Sequence, residues 1–318
     1  MSQPALWAQA DLPLSTQDFT ARLKQLQAPF AELLARKLLP AQLNAELARL
    51  YLPLAAWLNL QRPTAGPLVV GINGAQGSGK STLCSLLQWL LETAFNCRCC
   101  IISIDDLYLP KAARLQLAEQ VHPLLATRGV PGTHDTALGL ELLRKLKMCP
   151  PPTSIEIPRF NKATDDRLPQ QQWDQLTAPV DLILFEGWCV GATPQPEEQL
   201  STPLNLLEAN EDADGRWRRY VNCQLAGPYR QLFAQLDLLL LLKIPDWEMV
   251  YHWRKRQEQQ LAAHGGGTGI MDDTALRRFI QHYERLTRHQ LATLPQKAAL
   301  VLDLNREQRV AALKQHSR

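Results

Sequence analysis

The chain has 318 residues, of which 46% are hydrophobic and 20% are charged, a mixture typical of globular proteins. Its 34 basic and 31 acidic side chains give a formal net charge of +3, which is too even to indicate a nucleic-acid or anionic-membrane partner. The apolar stretch 236–242, which is interrupted by Asp237, is far shorter than the roughly 20 residues that a membrane-spanning helix requires.

The first 66 residues have a helical pattern. Apolar side chains recur at steps of three and four residues, at Leu23, Leu26, Phe30, Leu33 and Leu34. Proline and glycine between residues 63 and 67 then predict a linker. We therefore expect a helical extension, residues 1–66, packed on a main domain, residues 67–318.

After this linker, short apolar runs alternate with helical stretches. Six runs predict strands, at 68–73, 99–104, 154–157, 182–185, 236–244 and 298–304. Most are apolar throughout, as expected for strands that are covered on both faces. Their alternation with helices predicts an α/β fold with three layers, α/β/α, and a parallel sheet. Residues 194–215 are polar and weakly periodic, and we interpret them as a loop or insertion.

The segment after the first predicted strand matches the phosphate-binding pattern G-x-x-x-x-G-K-[ST]. It comprises Gly74, Ala75, Gln76, Gly77, Ser78, Gly79, Lys80 and Ser81, and Thr82 follows. Glycines let backbone N–H groups surround a phosphate, and the following helix points its positive dipole end at the anion. In such a loop Lys80 binds the β- and γ-phosphates and Ser81 binds Mg²⁺. A chance match is the alternative, but the flanking strand and helix favour a P-loop that binds ATP.

Two of the predicted strands end in carboxylates. Asp105 and Asp106 follow residues 101–104, and Glu186 follows residues 182–185. Ligands of open parallel sheets bind beyond the carboxyl ends of the strands, where an aspartate can accept a hydroxyl proton during phosphoryl transfer. We favour Asp105 as this base over Asp106, since one of the two could instead cap a helix. Glu186 is expected to order Mg²⁺, with a plain surface residue as the alternative.

Two further patterns have less favoured interpretations. The nearest match to the guanine-reading pattern N-K-x-D is NKAT at 161–164, which has Thr164 at the last position, so a GTPase switch is not expected. Cys97 and Cys100 form a C-x-x-C pair without a second pair or a nearby histidine. We interpret Cys99 and Cys100 as core thiols rather than metal ligands. Reduced cysteines and a start that does not look like a signal peptide predict a cytoplasmic location.

The P-loop and the two acidic strand ends, in this order, resemble the phosphoribulokinase, uridine kinase and pantothenate kinase group. Four segments resemble more specifically the plant-type D-glycerate 3-kinase family: SIDDLYLP (103–110), TRGVPGTHD (127–135), IPRFNKATDDR (157–167) and LFEGWCVG (184–191). The resemblance covers most of residues 67–310 and implies a kinase-type P-loop NTPase fold. It also implies transfer of a phosphoryl group from MgATP to D-glycerate with Asp105 as the base. Leu107 departs from the aromatic residue usual in the wider group.

The acceptor that this resemblance implies carries one carboxylate and two hydroxyls. Arg128, Arg159 and Arg167 lie in polar segments, and an arginine suits a carboxylate because its planar fork makes paired hydrogen bonds. A solvated surface charge is the alternative for each of them. His134 and Asp135 could bond the hydroxyls, or they could form a turn and a cap for a helix beginning near residue 136.

A basic helix is expected after Asp246. Related kinases close such a lid over the phosphates, and Arg254 and Arg256 would serve there unless they form a solvated face. Two other functions stay open: a kinase of the same fold for a nucleoside or pantothenate-like alcohol, and an ATP-binding regulatory protein with little transfer chemistry. We expect a small-molecule substrate and neither a nucleic acid nor a membrane as partner.

Overall fold

The computed structural model describes residues 6–7, 12–150, 152–263 and 271–316. Its α-helices, in chain order, are α1 (Thr16–Arg36), α2 (Leu52–Leu60), α3 (Lys80–Phe95), α4 (Lys111–Gln120), α5 (Thr136–Met148), α6 (Leu206–Glu211), α7 (Arg216–Ala226), α8 (Pro228–Phe233), α9 (Glu248–Ala263) and α10 (Asp273–Thr293). Within the described ranges, none of these helices has both the length and the apolar character needed to cross a membrane.

The strands are β1 (Leu68–Gly74), β2 (Cys99–Ser103), β3 (Thr153–Ile157), β4 (Phe160–Asn161), β5 (Asp166–Arg167), β6 (Asp174–Ala178), β7 (Leu182–Gly187), β8 (Leu238–Lys243), β9 (Leu300–Leu304) and β10 (Val310–Gln315). Six of them form the central sheet in the order β10-β9-β8-β1-β7-β2. Every pair in it is parallel except β9 with β10. Helices flank this sheet, so the predicted α/β fold is confirmed. β1 and β7 are buried along their whole length, which explains their continuously apolar sequences.

The structure refines three expectations about the elements. The sheet is not wholly parallel, because β10, which was not among the predicted strands, adds an antiparallel edge. The strand predicted at 154–157 lies outside the central sheet and pairs antiparallel with β6 in a separate ribbon. In this ribbon Ile155 and Ile157 are buried while Ser154 is exposed, the alternation of a strand covered on one face. Residues 194–215 are not a loop throughout, since they contain α6, capped by the Asn205 side chain.

The N-terminal helices share the core of the sheet domain. Phe30 of α1 is fully buried, and its ring centroid lies 5.8 Å from that of Tyr51 and 6.0 Å from that of Trp89 on α3. Arg49 donates a hydrogen bond of 2.8 Å from Nη2 to the carbonyl of Val310 on β10. The extension therefore contacts both the helix after the P-loop and an edge of the sheet. A domain boundary at residue 66 stays a prediction.

The cysteine cluster lies inside the protein. Cys97, Cys99 and Cys100 are all buried, and burial raises the pKa of the Cys97 thiol to about 11 and that of the Cys100 thiol to about 12. A thiol that keeps its proton is a poor metal ligand. In the part of the chain that the structure describes, no three His, Cys, Asp or Glu side chains are grouped so that they could hold a metal. These observations agree with core thiols.

Candidate active site

The register of three parallel strands brings the predicted site residues close together. Glu186 on β7 lies opposite Ile72 of β1 on one side and opposite Ser103 of β2 on the other. Parallel strands end at the same edge of a sheet. The P-loop after β1, Glu186, and Asp105 after β2 therefore meet at this edge, although they are far apart in the sequence.

The P-loop has the backbone that its glycines allow. Gly77 has a φ of 77° and Gly79 a φ of 89°, in the left-handed region that side chains disfavour. Helix α3 begins at Lys80, directly after Gly79, so its positive N-terminal end faces the loop. Gly77 is also needed for packing, because a Cβ there would lie only 2.9 Å from Cβ of Trp253 on α9. The loop conformation suits a bound phosphate.

Ser81 and Glu186 present oxygen atoms side by side. The Ser81 hydroxyl donates a hydrogen bond of 2.9 Å to Oε1 of Glu186, and Nζ of Lys80 lies 3.9 Å from Oε2. Glu186 is only 5% exposed, so the surface interpretation of this residue was wrong. Oε2 accepts no hydrogen bond from any residue that the structure describes. Mg²⁺ prefers hydroxyl and carboxylate oxygens, and this pair fits such an ion.

Asp105 carries a hydrogen bond on each carboxylate oxygen. The Tyr108 hydroxyl donates to Oδ1 at 3.0 Å, and Nζ of Lys162 donates to Oδ2 at 2.7 Å. Burial by itself would raise the pKa of Asp105, but the charges of Lys162 and Lys80 outweigh it and lower the pKa to about 2. Asp105 is therefore ionised at neutral pH, as an acceptor of a hydroxyl proton must be.

Asp106 binds a different segment of the chain from Asp105. Its Oδ2 accepts a hydrogen bond of 2.7 Å from Nη1 of Arg159, and its Oδ1 accepts one of 3.1 Å from the backbone N–H of Phe160. Burial raises the pKa of Asp106 above its usual range, although the charge of Arg159 acts in the opposite direction. Both contacts fasten the segment around β4 to the end of β2. This placement favours Asp105 rather than Asp106 as the group that faces the P-loop lysine.

His134 is a buried, neutral side chain with one free ring nitrogen. Its Nδ1 lies 2.5 Å from the Tyr229 hydroxyl, and its ring stacks on Tyr108 with centroids 4.4 Å apart. Burial lowers the pKa of His134 to about 3, although the charge of Asp105 acts to raise it. Nε2 is buried and has no hydrogen-bond partner within the described ranges. Such a group is usually satisfied by a ligand or an ordered water.

Two of the predicted arginines, Arg159 and Arg167, form hydrogen bonds between segments of the chain. Nε of Arg159 donates to Oδ2 of Asp174 at 2.9 Å, in addition to the bond of Arg159 with Asp106. Arg167 donates to the carbonyl of Tyr108 at 2.8 Å and to Oδ2 of Asp135 at 3.2 Å. Their donors are therefore used to connect chain segments around the site.

Asp135 and Arg128 are the remaining residues of the predicted acceptor site. Asp135 caps α5, because its Oδ1 accepts a hydrogen bond of 3.0 Å from the backbone N–H of Leu138. Arg128 pairs with Asp165 in the turn between β4 and β5, and its guanidinium lies 5.5 Å from the ring centroid of Phe160. Of the three predicted arginines, Arg128 has the fewest hydrogen bonds to the described residues.

The predicted lid helix, α9, packs directly on the P-loop through Trp253. Arg254 follows it and donates to Gln257 at 3.0 Å. Its guanidinium also pairs with the buried Glu258. Burial and Asp105 raise the pKa of Tyr283, whereas Arg128 and Arg254 act to lower it. Arg254 therefore lies on the helix that packs on the P-loop and within electrostatic reach of Tyr283.

The other predicted lid residue, Arg256, is exposed. The structure does not bring it to the P-loop edge with Arg254, although only one position lies between them. A helix turns about 100° per residue, so two residues that are two positions apart face nearly opposite sides. Arg256 as part of the lid stays a prediction.

Several residues at this edge were not singled out from the sequence. Lys162 belongs to the segment NKAT, which was compared only with the guanine-reading pattern, and Tyr108 lies two residues after Asp106. Their positions in the sequence therefore gave only a weak indication that they belong to the site. Gln308 donates a hydrogen bond of 2.7 Å to the carbonyl of Gly77, which is 231 positions away. Asn73 donates to Gln290, which is 217 positions away. Contacts over such separations leave no local pattern in a sequence.

The chain is similar to several known kinases. The chain is 31% identical over 242 residues to the chloroplastic D-glycerate 3-kinase of Arabidopsis thaliana, an alignment that covers 72% of this chain and 48% of the plant protein. It is 33% identical over 262 residues to the uncharacterized kinase mug58 of Schizosaccharomyces pombe, covering 77% of this chain and 91% of the yeast protein. This chain belongs to the D-glycerate 3-kinase family of P-loop kinases. It spans about half the length of the plant relative. No family model matches it.

Solved structures share the fold of this D-glycerate 3-kinase family member. A D-glycerate 3-kinase from Cryptococcus neoformans var. grubii matches with a TM-score of 0.66 and 24% identity, over 83% of this chain and 97% of that chain. The YGR205w protein matches with a TM-score of 0.61 and 24% identity, over 91% of this chain and 97% of that chain. The kinase-type P-loop fold is confirmed. This fold agrees with the kinase names of the curated relatives.

Proposed function

We propose that this kinase transfers the γ-phosphoryl group of MgATP to a hydroxyl of D-glycerate and that Asp105 is the base. The observation that carries the proposal is the position of Asp105 at the end of β2, where the charges of Lys162 and of Lys80 in the P-loop outweigh burial and lower its pKa. The buried Nε2 of His134 is unsatisfied among the described residues of the same region. A protein that only bound ATP would need neither group there.

Asp105 receives the proton during transfer. The acceptor hydroxyl oxygen forms a bond to Pγ, the bond from Pγ to the bridging oxygen of ADP breaks, and the hydroxyl proton passes to Asp105. A carboxylate with a pKa of about 2 is a weak base. This suffices because the transition state of phosphoryl transfer is loose, so orienting the hydroxyl matters more than deprotonating it early.

Ser81 and Glu186 would hold Mg²⁺, and Lys80 would bind the phosphates. When bound, the ion neutralises charge that develops on the β- and γ-phosphate oxygens. The support for this assignment is the pair of adjacent oxygen donors, one of them a buried carboxylate with an unsatisfied Oε2 among the described residues. Arg254 on α9 would add positive charge from the other side of the P-loop.

Arg128 is the arginine that we assign to the acceptor carboxylate. Arg159 already donates to two carboxylates, and Arg167 donates to one carboxylate and to the backbone carbonyl of Tyr108. Among the described residues, Arg128 donates only to Asp165. His134 would bond a hydroxyl of the acceptor through Nε2. Asp135 would act indirectly, by capping α5 and fixing Arg167.

The test is ADP release by the purified full chain with MgATP and one acceptor at a time. We expect D-glycerate to give the fastest release, ahead of L-glycerate, uridine, pantothenate and no acceptor. Phosphorus NMR of the product then identifies the hydroxyl that received the phosphoryl group. Equal rates with all acceptors would contradict the proposal and leave only ATP binding. A faster rate with uridine or pantothenate would reassign the acceptor.

A further inference from the structure

Lys162 covers the base before any acceptor is present. Its Nζ lies 2.7 Å from Oδ2 of Asp105, and the other oxygen already accepts the Tyr108 hydroxyl. We propose that Lys162 masks Asp105 in the resting enzyme and is drawn away by the carboxylate of the acceptor, so that recognition of this carboxylate is what frees the base. The inference deepens the proposed function and rests on it.

The Lys162 side chain is free to move. It is 63% exposed, whereas the side chain of Asp105 is 28% exposed. Within the described part of the chain, no second carboxylate lies within 4.0 Å of its Nζ. Exposed ion pairs stabilise proteins by only about 0–1 kcal/mol, so a competing anion can displace this contact at little cost.

The backbone beneath Lys162 is anchored. Asp165, three residues later, pairs at 3.0 Å with the fully buried Arg114. Asp166 accepts a hydrogen bond of 2.9 Å from the backbone N–H of Lys111. The turn between β4 and β5 is therefore held to the start of α4 while the flexible stem of Lys162 swings. Movement of one side chain, without movement of the turn, is enough to expose the base.

The acceptor carboxylate would arrive beside Lys162. Arg128, which we assign to this carboxylate, pairs with Asp165 on the same turn that carries Lys162. The arriving anion enters a site that already contains Asp105, Glu186 and the phosphates of ATP. The positive charge of Lys162, once moved, compensates the negative charge of the acceptor carboxylate, while the charge of Lys80 continues to lower the pKa of Asp105. Electrostatics therefore favour transfer of the lysine from the base to the substrate.

Unmasking also makes Asp105 a better base. Burial raises the pKa of this carboxyl and Lys162 is foremost among the charges that lower it, so removal of the lysine raises the pKa. Glycerol and water lack a carboxylate and leave Lys162 in place. The enzyme would thus select hydroxy acids over polyols at the chemical step as well as in binding, and would protect ATP from idle hydrolysis.

The experiment compares Lys162→Met with Lys162→Arg and with Lys145→Met, which breaks an exposed ion pair on α5. Each full-length variant receives MgATP with D-glycerate, with glycerol or with no acceptor. For Lys162→Met we expect kcat/KM for D-glycerate to fall about tenfold or more, as for loss of a charged hydrogen bond. Transfer to glycerol and ATP hydrolysis without acceptor should both rise several-fold. Lys162→Arg keeps the positive charge, so its glycerol and hydrolysis rates should rise less than those of Lys162→Met, and Lys145→Met should stay near the wild type.

Each other result overturns the proposal in its own way. A loss with D-glycerate while the glycerol and water rates stay at the wild-type level would make Lys162 a binding residue only. An equal proportional loss in all three reactions would make its role structural. If the wild type does not use D-glycerate, the proposed function fails separately. ATP hydrolysis by Lys162→Met, compared with Lys145→Met, then still decides whether the base is masked.

Discussion

The Ser81 hydroxyl donates a hydrogen bond of 2.9 Å to Oε1 of Glu186, although 105 positions separate the two residues. One belongs to the first turn of α3 and the other to the end of β7. Lys80 approaches the second carboxylate oxygen at 3.9 Å. The P-loop is thus completed by a carboxylate from a neighbouring strand, and this carboxylate is the first target for mutation.

Glu186→Gln keeps the shape of the side chain and its bond with Ser81 but removes the negative charge. We expect the Mg²⁺ concentration for half-maximal activity to rise by about 10–100-fold, as for other losses around metal sites. Initial rates over a Mg²⁺ titration measure this. Glu141→Gln, on the exposed face of α5, is the matched control. An unchanged Mg²⁺ dependence would remove Glu186 from the metal site.

Lys80→Ala removes the positive charge next to the proposed phosphates. We expect ATP binding to weaken by roughly 10–100-fold or more, since a hydrogen bond to a charged group stabilises by about 1.5–3 kcal/mol. Isothermal titration with a non-hydrolysable ATP analogue measures the affinity, with Lys145→Ala as control. Full retention of affinity and turnover would refute the P-loop assignment.

Asp105→Asn should lower turnover, whereas Asp106→Asn should lower stability. The first removes the proposed base, so turnover should fall on the order of 10²-fold or more while the affinity for ATP is retained. The second weakens the contacts of Asp106 with Arg159 and Phe160, so it should lower the free energy of unfolding by about 1 kcal/mol. Steady-state kinetics and urea unfolding distinguish the two. The reverse pattern would transfer the base to Asp106.

His134 should make the protein less stable as the pH falls. Burial lowers its pKa to about 3 in the folded state, against about 6.5 in an unfolded chain. Between these values the unfolded chain binds more protons, so the stability present above pH 6.5 is lost as the pH falls toward 3. Replacing His134 by Gln should make the slope of unfolding free energy against pH shallower by up to about 1.4 kcal/mol per pH unit. Urea unfolding between pH 4.5 and 7 measures this slope, and equal slopes would contradict a buried neutral His134.

Phe30→Ala tests whether the N-terminal helices fold together with the sheet. The side chain is fully buried between Tyr51 and Trp89, so its removal should lower the free energy of unfolding by about 3–5 kcal/mol. Because Trp89 lies on α3, we expect one cooperative transition at a lower temperature. Calorimetry measures it, with Phe95→Ala as a less buried comparison, since the Phe95 ring on α3 contacts Arg22 of α1. Two separated transitions would make residues 1–66 an independent unit.

The sequence alone determined the fold class and the position of the P-loop. Buried parallel strands must be apolar on both faces, and a phosphate-binding loop needs glycine and lysine at fixed spacing, so both leave local patterns. The same reasoning placed acids at the ends of β2 and β7. The sequence did not predict that β3 lies outside the central sheet or that β10 is an edge strand, since the pattern of a short or half-exposed strand does not specify its partner.

Only the tertiary structure assigned partners to the charged residues. Arg128, Arg159 and Arg167 were equivalent in the sequence, but two of them are held by carboxylates and backbone carbonyls whereas Arg128 has a single carboxylate partner in the described ranges. The contact between Lys162 and Asp105 spans 57 positions and joins two segments whose patterns are unrelated. Ion pairs depend on distances across the fold rather than on spacing along the chain. Packing therefore decided which charges act on Asp105, the proposed base, whereas the strand that precedes Asp105 decided where it lies.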